Sequence, residues 1–355
     1  MTGRCAAPGG ATGATPSQQA RAMRRLTGVL ASWWQAAGRR LPAARVRRLI
    51  TSVLIVAAGA ASAAVAVALQ PGQLTAATSG VSQVGGRGPA RSRQPPIEDW
   101  TLAGRPLWLS RASAGQGVAT VSLAGGGSRV ITRGDASVPP ELRQAGWWHV
   151  GDPDSHDGYL LDAYQAGPAQ HAKMFVLTDP AGRRVSYRHR LVKGEMLNNS
   201  FVAIAPSGDW FVTGEWRTIT RLLVFPMPGR RSKPPSPAAD LPLASVIRLT
   251  HPMRNVQGCA FATATELICA TDDRHADLYP VAQQLLRVRL SGPVSGQAET
   301  GTPSLLAPVP HNPACPGAEE TEGLDVTGNQ MLLMINAGKS CRGITFMYRY
   351  LDHEG

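Results

Sequence analysis

The densest group of chemically capable side chains is Asp152-Pro153-Asp154-Ser155-His156-Asp157-Gly158, three carboxylates within six residues, ahead of a glycine. Oxygen ligands carried on a tight turn are what a calcium loop needs, which makes Asp152, Asp154 and Asp157 candidate metal ligands. Against the EF-hand spacing one residue is extra, and no glutamate stands at the twelfth position, so an acidic hairpin turn is the alternative. Other patterns fall short of a site. Gly338-Lys339-Ser340 has the ending of a phosphate loop, but the glycine required five positions earlier is Leu333 and no helical pattern follows. No G-x-S-x-G, H-E-x-x-H or S-x-x-K arrangement supplies a nucleophile or a zinc site.

The elements that must position the acidic run are short β-strands, and they repeat. One unit is 200–205, the turn Pro206-Ser207-Gly208, 209–213 and then 221–225. A second is 257–261, 266–270 and 285–290, and a third is 322–326, 331–335 and 344–348. An earlier, weaker copy runs through 148–150, 159–161 and 174–177, and the acidic run is its first turn. Each unit is a short strand, a turn, an apolar strand and a third strand of alternating character, which is the strand order of a propeller blade. The anchors Gly151, Phe201, Gly258 and Gly323 lie 50, 57 and 65 residues apart, longer than a minimal blade, so the loops carry insertions. Weaker strands at 107–109 and 117–123 add to these. The expected fold is therefore all-β, a propeller of about five to seven blades over residues 99–355. A β-sandwich is the competing fold, but nothing in a sandwich requires this unit four times.

The repeats resemble the wider superfamily of six-bladed-type β-propellers, which includes gluconolactonase-like, NHL-repeat and TolB-like proteins, and within it secreted bacterial members without established activity. The resemblance covers about 147–351 and rests on blade texture with the stretches QGCAF, ATDD and TEGLD. In gluconolactonase-like enzymes a glutamate followed by glycine and an apolar residue helps to hold a divalent metal in the central channel, with asparagines and an aspartate from other blades. Glu322-Gly323-Leu324 is similar to that element, and Asn198 or Asn199 and Asp272 or Asp273 stand at comparable strand ends. The resemblance thus implies a channel site of Glu322, Asn199 and Asp272 around a divalent cation such as calcium. It departs from the pattern in that this glutamate lies in the last repeat. Such an ion would polarise a lactone or ester carbonyl or lower the pKa of a bound water, with His149 or His275 as base. Turn residues, solvated acids and structural histidines are the competing explanation.

Residues 49–69, LITSVLIVAAGAASAAVAVAL, contain no charge, amide, proline or aromatic. A helix of that length reaches roughly 30 Å, enough to cross a bilayer core. Nine arginines and no acidic residue precede it, so the positive-inside rule keeps residues 1–48 cytoplasmic and sends the rest outside. The run reads as an uncleaved anchor, with cleavage at the AxA-type site around Ala63, and hence secretion, as the alternative. The net charge of +12 invites a nucleic-acid reading, but outside the tail 27 basic residues face 24 acidic ones, so the charge is a topology signal and no nucleic-acid partner is expected. Residues 70–98, rich in Gly, Pro and Ser, read as a linker.

Cys5 stands in the tail, and Cys259, Cys269, Cys315 and Cys341 lie beyond the apolar run, an even number in a compartment that permits disulfides. Cys259 with Cys269 and Cys315 with Cys341 is the favoured pairing, because the first pair brackets a hairpin turn. A zinc site is the alternative, without CxxC spacing to support it. The expected protein is a single-pass, extracytoplasmic β-propeller acting as a binding module for an envelope protein or glycan. The alternative is a metal-dependent hydrolase of the lactonase type.

Overall fold

The run 267–270 is apolar without alternation because it is covered on both faces. Leu267 and Cys269 belong to one core, Ile268 and Ala270 to another. The same holds for 222–225, where Leu222 and Val224 face one neighbour and Leu223 and Phe225 the other. Side chains of a strand alternate between faces, so a sheet sandwiched between two others is written as a continuous apolar run. The computed structural model describes residues 100–167, 170–197, 201–229, 240–317 and 320–352. The tail 1–48, the apolar run 49–69 and the linker 70–98 lie outside the described residues. No helix among the described residues is long and apolar enough to cross a membrane.

Five antiparallel meanders follow one another among the described residues. The chain enters through β1 (Trp100–Leu102), β2 (Leu107–Ser110) and the single-turn helix α1 (Arg111–Ala114). The first meander is β3 (Gly117–Ser122) with β4 (Ser128–Arg133), followed by the short helix α2 (Pro140–Gln144). The second sets β5 (Trp147–Val150) and β6 (Asp154–His156) one after the other along β7 (Tyr159–Ala166), with β8 (Ala172–Thr178) and β9 (Arg184–Arg190) outside them. The third is β10 (Ala203–Ile204), β11 (Trp210–Thr213), β12 (Thr218–Pro226) and β13 (Ser245–Arg254). The fourth is β14 (Val256–Thr263), β15 (Glu266–Asp272), β16 (Gln283–Leu290) and β17 (Glu299–Pro308). The fifth is β18 (Glu320–Thr327), β19 (Gln330–Asn336) and β20 (Ile344–Asp352).

The fifth sheet is completed from the start of the described chain: β1 and β2 both pair with β20, with Trp100 opposite Asp352 and Leu107 opposite Met347. The outer strands β13 and β17 run parallel over Ile247 to Leu249, joining the third and fourth meanders into one eight-stranded path. Its end strands β10 and β14 also pack together, so that this sheet nearly closes. The inner strands β3, β6, β10, β14 and β18 each pack on the next, and β18 returns to β3. Sheets radiating from a ring of inner strands make a β-propeller-like fold.

The repeat units read from sequence coincide with the three inner strands of the third, fourth and fifth meanders. The outer strands β9, β13 and β17 are hidden in sequence by their exposed polar positions and, in β17, by two prolines. Both favoured disulfides form. Cys259 and Cys269 face each other across β14 and β15 with Cα atoms 4.1 Å apart. Cys315 and Cys341, 5.6 Å apart at Cα, tie the segment before β18 to the one after β19.

Candidate functional site

One residue at the centre of the ring touches every meander. Asp152, fully buried between β5 and β6, accepts the Val118 N–H of β3 on Oδ1 at 2.9 Å and the Leu324 N–H of β18 on Oδ2 at 3.0 Å. Its carbonyl takes the N–H of Val202, just ahead of β10, at 3.1 Å. Gly258 of β14 completes the set, because a Cβ there would stand 2.4 Å from Asp152 Oδ2. A Cβ at Gly323 would stand 2.4 Å from Oδ1, and one at Gly117 2.4 Å from the Asp152 Cα. The repeat anchors therefore converge on the axis, where glycines allow backbones to approach a carboxylate that fills it. Burial pushes the Asp152 carboxyl well above the usual range, opposed by its two backbone N–H bonds.

The other members of the acidic run go different ways. Asp154 accepts the Ile204 N–H on Oδ2 and its neighbour Ser155 N–H on Oδ1, both at 2.6 Å, so it ties β6 to β10. Burial, then the proximity of Asp325, raises its carboxyl to about 8. Asp325 in turn accepts the Thr120 hydroxyl at 2.6 Å, joining β18 to β3. Asp157 sits on the exposed turn with a positive φ of 50°, its carboxylate 3.4 Å from His156. Among the described residues no three His, Cys, Asp or Glu side chains are grouped closely enough to hold a metal ion.

Glu322 and Asp272 do come to one place. Both lie on the face where the inner strands begin, Glu322 near the start of β18 and Asp272 at the end of β15. Glu322 Oε1 receives the Asn336 amide, which is steadied by the Thr345 hydroxyl on its Oδ1 at 2.6 Å. Asp272 Oδ1 accepts the Thr321 N–H at 3.1 Å. Its Oδ2 has no hydrogen-bond partner among the described residues, although Thr321 and Gln283 side chains face it. Burial, then the neighbouring carboxylates Glu320 and Asp272, carries Glu322 well above the usual range. Burial, partly offset by the Thr321 N–H, brings Asp272 to about 7. Asn199 lies outside the described residues. His149 is elsewhere, on β5 against Trp148, and burial lowers its pKa while Asp135 opposes that shift.

On the same face opens a cavity of about 540 Å³ lined by Arg111 of α1, Arg274, Pro316, Gly317, Glu320, Gly338 and Lys339. Among the described lining residues three cations, from α1, the loop after β15 and the turn after β19, stand with one carboxylate, Glu320, which already accepts the Gln257 amide at 2.6 Å. Sequence reading did not select Arg111, Arg274 or Lys339, since nothing in their spacing relates them. The failed phosphate-loop match at Gly338-Lys339-Ser340 was the nearest signal.

No family model matches the chain, and no curated protein matches it. Among solved structures it is similar to a gluconolactonase from Xanthomonas campestris, described as important in glucose secondary metabolic pathways, at 13% identity and a TM-score of 0.31. That alignment covers 65% of this chain and 64% of the gluconolactonase, so the chain spans slightly under two thirds of that protein's length. It is also similar to a GH43_1 enzyme from Xanthomonas citri at 11% identity and a TM-score of 0.35, over 59% of this chain and 70% of that one.

Proposed function

We propose that the protein is a five-bladed propeller acting as an extracytoplasmic binding module, which takes a negatively charged segment of an envelope protein or glycan at the cavity between Arg111, Arg274 and Lys339. The observation that carries this is the filled axis. Asp152 and three glycines occupy the place where a propeller would hold an open channel, which leaves the loop cavity as an accessible concave surface on this face. Burial raises the pKa of the neighbouring Glu322 and brings that of Asp272 to about 7, which reduces the negative charge these carboxyls set against the three cations. Membrane anchorage through 49–69, with the N-terminus cytoplasmic, belongs to this reading and is supported by the apolar run and its arginine flank. The test is binding of acidic and neutral oligosaccharides and peptides to the full chain and to its Arg274→Gln and Lys339→Gln variants. Charge-dependent binding lost in both variants supports the proposal; binding indifferent to ligand charge removes it.

The second reading is a hydrolase using Glu322 and Asp272. It is favoured by one observation, the unpartnered Oδ2 of a buried carboxyl that titrates near neutrality, as a general acid or base should. A divalent ion such as calcium, held by Glu322, Asp272 and Asn199, belongs to this reading as a proposal, with Asn199 outside the described residues. Turnover of a lactone, ester or glycoside that survives in Lys339→Gln but vanishes in Asp272→Asn and Glu322→Gln would favour it over the binding module. Metal retained at one per chain after dialysis, and lost in Glu322→Gln, would add the ion.

A further inference from the structure

A second concave site lies apart from the axis and the cavity above, between the second and third meanders. It is a cleft of about 340 Å³ whose lining includes Gly194, Met196, Thr220, Arg221, Val246 and Arg248. Its outer wall holds two arginines directly opposite each other across β12 and β13, Arg221 and Arg248. Like charges placed opposite on one face of a sheet repel, unless each is given a counter-charge. Arg221 has one: Glu215 takes its Nε and Nη2 at 2.6 and 2.9 Å. Arg248 is exposed and has no ion-pair partner among the described residues.

The inner wall is built with unusual care for a surface cleft. Arg221 Nη2 also donates to the Gly194 carbonyl at 2.9 Å, and the Met196 N–H donates to Glu215 Oε1 at 2.7 Å. The Met196 carbonyl is held by the ammonium of Lys173, a lysine with no exposed surface. Lys173 is paired with Glu195 Oε1 at 2.9 Å, and Glu195 Oε2 meets His189 Nε2 at 2.8 Å and the Val192 N–H at 3.1 Å. Burial opposes ionisation of Glu195, but His189 and Lys173 together outweigh it and bring its carboxyl to about 2. Three fixed charges thus clamp both sides of residues 194–196 before any ligand arrives, the support a preorganised site needs.

From this geometry we infer that the cleft binds a small hydroxylated ligand bearing one carboxylate, of the size of a single acidic sugar. The carboxylate sits on the Arg248 guanidinium, whose planar fork matches it in two hydrogen bonds. Thr220, and Thr218 whose oxygen already accepts Arg254 Nε at 3.1 Å, offer hydroxyl protons to the ligand's oxygens. Met196 and Val246 give an apolar side for a ring. One negative charge suits the site and two do not, because Arg221 is already paired with Glu215, a carboxylate that itself lines the cleft.

The test is calorimetric titration of the purified full-length chain with D-glucuronate, with D-glucose as the uncharged comparison and with inorganic phosphate. Saturable glucuronate binding, about tenfold or more tighter than glucose, is expected from one charged hydrogen-bonded contact. Arg248→Gln, an exposed position on an outer strand, should weaken glucuronate by about tenfold or more and leave the thermal unfolding curve in place. Lys339→Gln, in the other cavity, should leave it unchanged, which separates this site from the proposed binding surface. Equal binding of glucose, tighter binding of phosphate, unaltered affinity in Arg248→Gln, or no saturation by about 10 mM glucuronate would each overturn the inference.

Discussion

Leu324 donates its backbone N–H to the carboxylate of Asp152 across 172 residues of sequence, at 3.0 Å and in full burial. With Val118 on the other oxygen, this places a single side chain between the first, second and fifth meanders. Removing the acceptors strands two buried N–H groups, each worth about 1–3 kcal/mol. Asp152→Ala should therefore lower unfolding stability by about 3–5 kcal/mol, and Asp152→Asn, close in shape to the neutral acid and keeping one acceptor oxygen, by less. Urea unfolding measures both; a loss under about 1 kcal/mol in the alanine variant would contradict the central role.

The glycines around that carboxylate make a second prediction. Gly258→Ala and Gly323→Ala each put a carbon 2.4 Å from an Asp152 oxygen, and no flexible side chain can yield there. A loss of about 3 kcal/mol or more is expected for each. Gly167→Ala, with no atom within 4 Å of the added carbon, serves as the neutral comparison. Similar melting temperatures for all three variants would mean that the axis is looser than described.

Stability should fall as pH rises across the neutral range. Asp154 titrates near 8 and Asp272 near 7 in the folded protein, with Asp152 and Glu322 shifted the same way, against an ordinary 3.8 for aspartate. The folded form thus keeps protons that the unfolded chain releases from about pH 4 upward, so this stabilisation is complete below pH 4 and lost on the way to about 8. Glu195, at about 2 against 4.5, works in the opposite sense and withdraws its stabilisation as pH falls below about 4.5. The melting temperature should peak near about pH 5 and decline toward pH 8.5. A steady rise from 5 to 8 in scanning calorimetry would show that the axial carboxyls are ionised in the folded state.

Reduction should separate the two disulfides. Cys259 and Cys269 are both buried, whereas Cys341 is partly exposed beside a surface loop. Under native conditions a mild thiol should open Cys315–Cys341 first, as read by alkylation and peptide mapping. Loop-closure entropy gives about 3 kcal/mol for each bond, slightly more for the 26-residue loop than for the 10-residue one. Faster alkylation of Cys259 would indicate that the fourth meander opens locally.

Much of this architecture was legible in the chain. The strand-turn-strand units at 200–225, 257–290 and 322–348 could be read because a sheet covered on both faces leaves unbroken apolar runs between turn residues. The pairing of Cys259 with Cys269 followed from the hairpin between them. Even the anchors Phe201, Gly258 and Gly323 could be picked out by position, although their reason could not. A glycine's need for close approach appears only when the opposing atom, Asp152 Oδ1 or Oδ2, is in place.

The sequence by itself determined the alternation of strands and turns, the charge asymmetry of the tail and the local hairpins, since each depends on neighbours within about a dozen residues. What only the tertiary structure decided is which distant residues share a site. Asp152 reads locally as part of an acidic turn, yet its partners come from residues 118 and 324. Arg111, Arg274 and Lys339 meet around one cavity because the ring closes through β1 and β2 on β20. Arg248 faces Arg221 only in the register that β12 and β13 adopt, past an irregularity between Ile219 and Arg221. Closure and register are set by the summed packing of many strands, so no short stretch of sequence carries them.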